Sequence, residues 1–150
     1  MNDTFRGIPD LVCMCATVRR ASRALTQLYN ETLRPLGLRA TQFTILQALS
    51  RTGELSQGEL GQILAMDSTT LTRTLRIMRR EGWIAERRGE DRRERLLRLA
   101  KDGRYQFNRA LPYWEKAQAR LGRELGEKRW HDLLTFTDEV TALATKRGES

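Results

Sequence analysis

Between Ser56 and Leu99 the chain carries two short capped helical segments, two residues apart, and then a pair of strand-like runs around a polar tip. This succession constrains the fold more than any other feature. Ser56-Gln57-Gly58-Glu59 is a capping box, in which the Ser hydroxyl and the Glu carboxylate each satisfy an orphan amide at a helix start. The helix it opens runs through Ile63 and Leu64 to a brief break at Ala65-Met66. Asp67 or Ser68 then caps a second helix, whose Leu71, Leu75 and Met78 face inward and whose Gly82 supplies a left-handed stop. Residues 83–88 and 94–99 flank a tip at 89–93, which is a hairpin signal. Two short helices joined by a tight turn fit a helix-turn-helix, and a hairpin directly after one is a wing.

The rest of the chain reads as helix. Residues 10–33 place Leu11, Cys15, Val18, Ser22, Leu25, Tyr29 and Leu33 on one buried stripe at 3.6 spacing, ended by Pro35 and Gly37. A second helix over 41–50 buries Phe43, Leu46 and Leu49 and stops at Thr52-Gly53. After Gly103, Leu111, Trp114, Gln118, Leu121 and Leu125 recur at heptad-like intervals, with a kink expected at Pro112. Past Gly126 a last helix carries Trp130, Leu133, Leu134, Phe136, Val140 and Leu143. These stripes hold more apolar surface than a small winged core can cover. A second copy of the chain, related by a two-fold axis, is the simplest cover. The predicted architecture is mainly α with a small β wing. A winged helix-turn-helix module over 38–100 is flanked by dimerisation helices over 8–36 and 101–146.

Charge points to the partner. Twenty-seven basic residues stand against nineteen acidic ones, for a net charge of +8, and 23 of the basic residues are Arg. Between Arg73 and Arg104 lie 12 basic and 6 acidic residues, so that stretch carries +6 of the total. Arg grips phosphate bidentately, and a concentrated basic footprint favours a polyanion. The longest apolar run, Leu11 to Ala16, is six residues, far below the ~20 that span a bilayer. With Asp3 and Asp10 near the start and no apolar signal core, a cytoplasmic location is expected.

Enzyme chemistry is scarce. The single histidine is His131, and HExxH, GxSxG and GxGxxG are absent. Residues 53–58 have the frame of a phosphate loop, but Glu59 stands where Lys is required. Cys13, Cys15 and one remote His do not supply four zinc ligands. No catalytic residue, metal or cofactor is expected.

At the wing the sequence resembles the MarR family of bacterial transcriptional regulators. Asp91-Arg92-Arg93-Glu94-Arg95 with Leu99-Ala100-Lys101-Asp102-Gly103 is similar to that family's D-x-R…L-T-x-x-G signature. Gly37-Leu38 with Gln42-Phe43, and Leu55-Ser56 with Glu59-Leu60, resemble its second and third helices. Residues 67–73 resemble its recognition helix, and Glu81-Gly82-Trp83-Ile84 the exit into the wing. The likeness extends from about Leu11 to about Leu143. One departure is physical: the Thr that caps the family's fifth helix is Ala100 here, and a lost cap costs about 1 kcal/mol. Asp102 in the first turn recovers part of this through the helix dipole.

Site residues follow from both readings. Ser68, Thr69, Thr70, Thr72 and Arg73 are expected to meet DNA, the hydroxyls and helix start holding phosphates and Arg73 pairing with guanine. Arg76 and Arg79 are candidate phosphate contacts, with Arg80 beside them. By resemblance the wing tip enters the minor groove, where Arg92 is the reader, with Arg93 beside it. Asp91 and Arg93 are also expected to shape the wing as a local ion pair. The resemblance implies a homodimer on a pseudo-palindromic double-stranded operator, probed by a small-molecule effector between the dimerisation helices and the winged module. Val18, Ser22, Phe43 and Gln47 would line that pocket. A repressor released by its effector is the expected activity.

Two alternatives stand beside it. The run Cys15…Ser22-Arg23…Thr26…Tyr29 resembles the organic-hydroperoxide-sensing branch of the family, in which a first-helix Cys is oxidised. The chain keeps Tyr29 but has Arg19 and Ala40 where that branch places its other tyrosines. The second is a sequence-neutral architectural DNA-binding protein, which uses charge alone.

Overall fold

The computed structural model describes residues 13–146. Helix α1 spans Met14–Leu33 and passes through one 3₁₀ turn, Arg34–Leu36, into α2, Ala40–Thr52. Strand β1, Glu54–Ser56, leads directly into α3, Gln57–Leu64, and α4, Ser68–Arg80. Strands β2, Ile84–Arg88, and β3, Arg95–Leu99, form the hairpin, and α5, Lys101–Leu125, and α6, Glu127–Thr145, complete the chain. The order in the antiparallel sheet is β1-β3-β2, with Glu54 opposite Arg98 and Ile84 opposite Leu99. This is the predicted architecture, mainly helical with a small wing. Sequence periodicity misses β1, because three residues are too few to show an alternation.

The core is centred in the winged module and takes in Leu33 of α1 and Phe107 and Ala110 of α5. Leu46, Leu60, Leu75, Met78 and Leu97 have no exposed surface, and Leu49 and Leu71 are almost as deep. They come from α2, α3, α4 and β3, so each element's apolar face is met by another of the same chain. Burying a Leu or Met side chain fully contributes about 1.5–3 kcal/mol. Phe43 of α2 packs on Phe107 and Trp114 of α5, with ring centroids 5.5 and 5.7 Å apart. Gln106 donates to the Leu36 carbonyl at 2.5 Å and fixes α5 to the 3₁₀ turn.

The join between wing and α5 is tight. The Ala100 amide donates to the Trp83 carbonyl at 3.0 Å, and Gly103 lies over the same peptide. A Cβ at position 103 would run into the Trp83 backbone, so glycine is required by close approach. Ala100 is the N-cap of α5 and makes no side-chain cap bond, with Asp102 in the first turn. Helix α5 continues through Pro112, where a kink is expected, and closes at Gly126, whose φ of 82° suits glycine.

The ends of the chain depart from expectation. Helix α1 begins at Met14, with Cys13 extended as its N-cap; Leu11 and the expected start at Asp10 lie outside the described residues. Cys15 is not buried: it is exposed, as is Val18, because the first turns of α1 run past the edge of the chain's own core. Helix α6 has no buried residue, and Leu134, Phe136 and Leu143 are 50%, 62% and 71% exposed. No helix among the described residues is long and apolar enough to cross a membrane.

Candidate nucleic-acid interface

Helix α4 is placed by both of its ends. Asp67 is its N-cap: one carboxylate oxygen accepts the Thr70 amide at 2.8 Å and the other accepts the Thr70 hydroxyl at 2.7 Å. These bonds from Thr70 hold the Asp67 carboxyl below the usual range. The preceding turn is sharp, because Ala65 adopts the left-handed conformation at φ 49°, at a cost of about 1 kcal/mol for a residue with a Cβ. It is held by the Ala65 amide on the Gln62 carbonyl and the Met66 amide on the Gly61 carbonyl. At the far end Gly82, at φ 75°, lets the Trp83 amide return to the Met78 carbonyl.

With Leu71, Leu75 and Met78 buried, the opposite stripe of α4 is set by helical geometry as Thr69, Arg73, Arg76 and Arg80, all exposed. Ser68 and Thr69 are exposed at the helix start, and their hydroxyls make no hydrogen bond among the described residues. Two other members of the hydroxyl cluster are engaged. Thr70 donates to Asp67, and Thr72, half-buried, accepts from the Gln57 amide at 2.9 Å. Thr72 therefore joins α4 to α3. Arg79 lies toward the wing and is paired with Glu86. Arg80 sits on the open stripe, and periodicity relative to Leu71 and Leu75 was the signal for it.

The wing tip is built by backbone bonds. The Gly89 amide donates to the Glu94 carbonyl and the Glu94 amide to the Asp91 carbonyl, each at 2.9 Å. The expected Asp91–Arg93 ion pair does not form. Instead the Asp91 carboxylate accepts the Arg93 amide at 3.1 Å, because residues 91–93 turn rather than extend. Asp91 still shapes the wing, through the main chain. Arg92 and Arg93 are exposed at the tip.

The root of the wing is held by ion pairs that sequence reading missed. Arg87 of β2 donates to both oxygens of Glu54 in β1, at 2.6 and 2.9 Å, and this bond keeps the Glu54 carboxyl low. On the other face Glu86 receives Arg79 and Arg95. The one signal available was a single carboxylate among arginines at a core-facing strand position.

The expected effector pocket is brought together in part. Phe43 and Gln47 line a cavity of about 270 Å³ with Tyr29, Ala40, Trp114 and Gln118. Val18 and Ser22 do not: they sit about two turns and more before Tyr29 and are exposed among the described residues. The Tyr29 hydroxyl is bonded to the Gln118 amide oxygen, and burial pushes its pKa up.

Residues 36–94 match the MarR family model. The multiple antibiotic resistance protein MarR of Salmonella typhimurium is 31% identical over 144 residues, which cover 95% of this chain and 94% of that protein. The chain belongs to the MarR family. It is a MarR-family transcriptional regulator of winged-helix fold. An HTH-type transcriptional regulator of Bacillus subtilis, YwoH, is 32% identical over 90 residues, which cover 60% of this chain and 66% of that protein. Among solved structures, M. tuberculosis transcriptional regulator MosR in complex with DNA superposes with a TM-score of 0.82 and 34% identity. That superposition covers 91% of this chain and 98% of that one. This MarR-family chain thus carries the family's fold from α1 to α6.

Proposed function

We propose that the protein is a homodimeric, sequence-specific DNA-binding regulator, acting in the cytoplasm as a repressor released by a small molecule. The observation that carries this reading is the open stripe of α4. Thr69, Arg73, Arg76 and Arg80 stand clear of the core on a capped helix beside a basic wing. Its positive end and the Ser68 and Thr69 hydroxyls suit phosphates, Arg73 suits a guanine edge, and Arg92 with Arg93 suits the narrow minor groove. The relative solved on DNA supports the same partner. Thr70 and Thr72 act here by holding α4 in place, and Arg76 adds phosphate contact. The exposed apolar faces of α1 and α6 are assigned to a second copy of the chain. Phe43 and Gln47 are assigned to the effector cavity.

The test is footprinting of bound genomic sites. Two α4 helices on a two-fold axis should give pseudo-palindromic footprints with half-site centres ~10 bp apart. Sites without dyad symmetry would contradict the dimeric reading, and equal protection of all duplexes would favour the architectural alternative.

One observation favours a second reading, release by oxidation: both Cys13 and Cys15 are open to solvent. Release from DNA by organic hydroperoxide that persists in Cys13→Ser and is lost in Cys15→Ser would establish it. Unaltered binding under peroxide would remove it.

A further inference from the structure

The side chain of Glu86 is only 12% exposed, yet it faces two guanidinium groups from different elements. In β2 it stands opposite Leu97, on the face of the sheet that carries buried Ile84, Leu97 and Leu99 toward the core. One carboxylate oxygen takes Arg79, from the last turn of α4; the other takes Arg95 at 2.7 Å, from the first residue of β3. Arg79 and Arg95 thus mark the end of the recognition helix and the point where the wing tip returns to the sheet. A carboxylate so deeply placed is costly to leave unpaired, which favours keeping both guanidinium groups on it.

We infer that Glu86 is a positioning residue that sets the spacing between α4 and the wing tip and withholds Arg79 and Arg95 from the DNA backbone. Through it the major-groove reader, Arg73, and the minor-groove reader, Arg92, are presented at one fixed separation. Two cations that would otherwise bind any phosphate are also kept from doing so. This role rests on the DNA-binding reading above. It makes sequence discrimination, rather than affinity, the property that Glu86 controls.

The Glu54–Arg87 pair provides the contrast. Arg87 follows Glu86 and points to the opposite face of the sheet, where its ion pair ties β2 to β1 rather than to α4. An equivalent loss of charge there loosens the root but not the helix-to-wing spacing.

The experiment uses the full-length chain, a duplex selected from a random pool by the wild-type protein, and a scrambled duplex of the same composition, across a salt series. Glu86→Gln keeps the shape, removes the charge and leaves an acceptor for only one of the two arginines. Its selected-to-scrambled affinity ratio should fall roughly tenfold, and its salt slope on the scrambled duplex should steepen by about 1 to 2. Glu54→Gln should keep the ratio. Arg95→Gln removes an exposed cation and is not expected to perturb the core; it should lower the ratio while flattening the slope less than Arg80→Gln does. An unchanged ratio and slope in Glu86→Gln, or an equal loss of ratio in Glu54→Gln, would overturn the role. Absence of duplex binding by the wild-type chain would overturn the DNA reading and this role with it, a failure separate from wild-type binding that Glu86→Gln leaves unaltered.

Discussion

The winged module and the terminal helices are amphipathic to a similar eye, yet only one of them satisfies its own pattern. In the module, Leu46, Leu60, Leu75 and Leu97 come from four elements and all have no exposed surface. In α6 no residue is buried, and Leu133, Leu134, Phe136 and Leu143 lie open. The first turns of α1 behave alike, with Met14 at 65% exposure. Apolar periodicity therefore reports that a face is to be covered, not what covers it. Short elements joined by tight turns find their partners within the chain, and so does the first half of α5, whereas α6 and the first turns of α1 reach past its core. We read the uncovered faces as the dimer surface and the closed module as the DNA reader.

The largest expected effect lies where the two regions meet. Gly103→Ala would force α5 off the Trp83 backbone and should cost about 3 kcal/mol or more in chemical denaturation, since backbone yields less than a side chain. A tolerated alanine would mean that arm and module are not locked together there.

Next is a substitution that should separate the regions. Phe136→Asp should leave helix content and the module's unfolding transition in place while weakening association by about 2 kcal/mol or more. Sedimentation should then show the single 17.4 kDa chain, whereas the wild type is expected at twice that mass. Loss of the folded module instead would place the α6 face in the chain's own core and break the comparison.

The smallest effect is confined to the module. Asp67→Ala should lower stability slightly at neutral pH through loss of the α4 cap. The Asp67 carboxyl is lower in the folded state than in the unfolded chain. Its contribution is therefore present above the unfolded value and is lost as pH falls through the folded one. The gap between wild type and variant in denaturation midpoints should close on acidification. A gap independent of pH would show that the charged carboxylate is not the capping species.

The same contrast decides what was legible in sequence. The capping box at Ser56, the cap at Asp67, the buried face of α4 and the stop at Gly82 are local, so residue type and spacing predict them. Strand β1 was not legible, because Glu54, Leu55 and Ser56 show their pairing only against β3. Cys15 and Val18 carry a buried-stripe pattern but are exposed in one chain, since their cover is not local. Asp91 and Arg93 have the charges of an ion pair, but the turn sends the bond to the main chain. The link from Glu86 to Arg79 and Arg95 joins a helix end to a strand start; the core-facing strand position marks the carboxylate, but no periodicity names its partners.

The central claim is that α4 reads bases, and Arg73→Ala measures it most directly. On a duplex selected by the wild-type protein the variant should lose about 1–3 kcal/mol, and its preference should relax at one base pair per half-site. On a scrambled duplex of equal composition it should lose much less. Equal loss on both duplexes across a salt series would contradict the account, because α4 would then be holding phosphates alone.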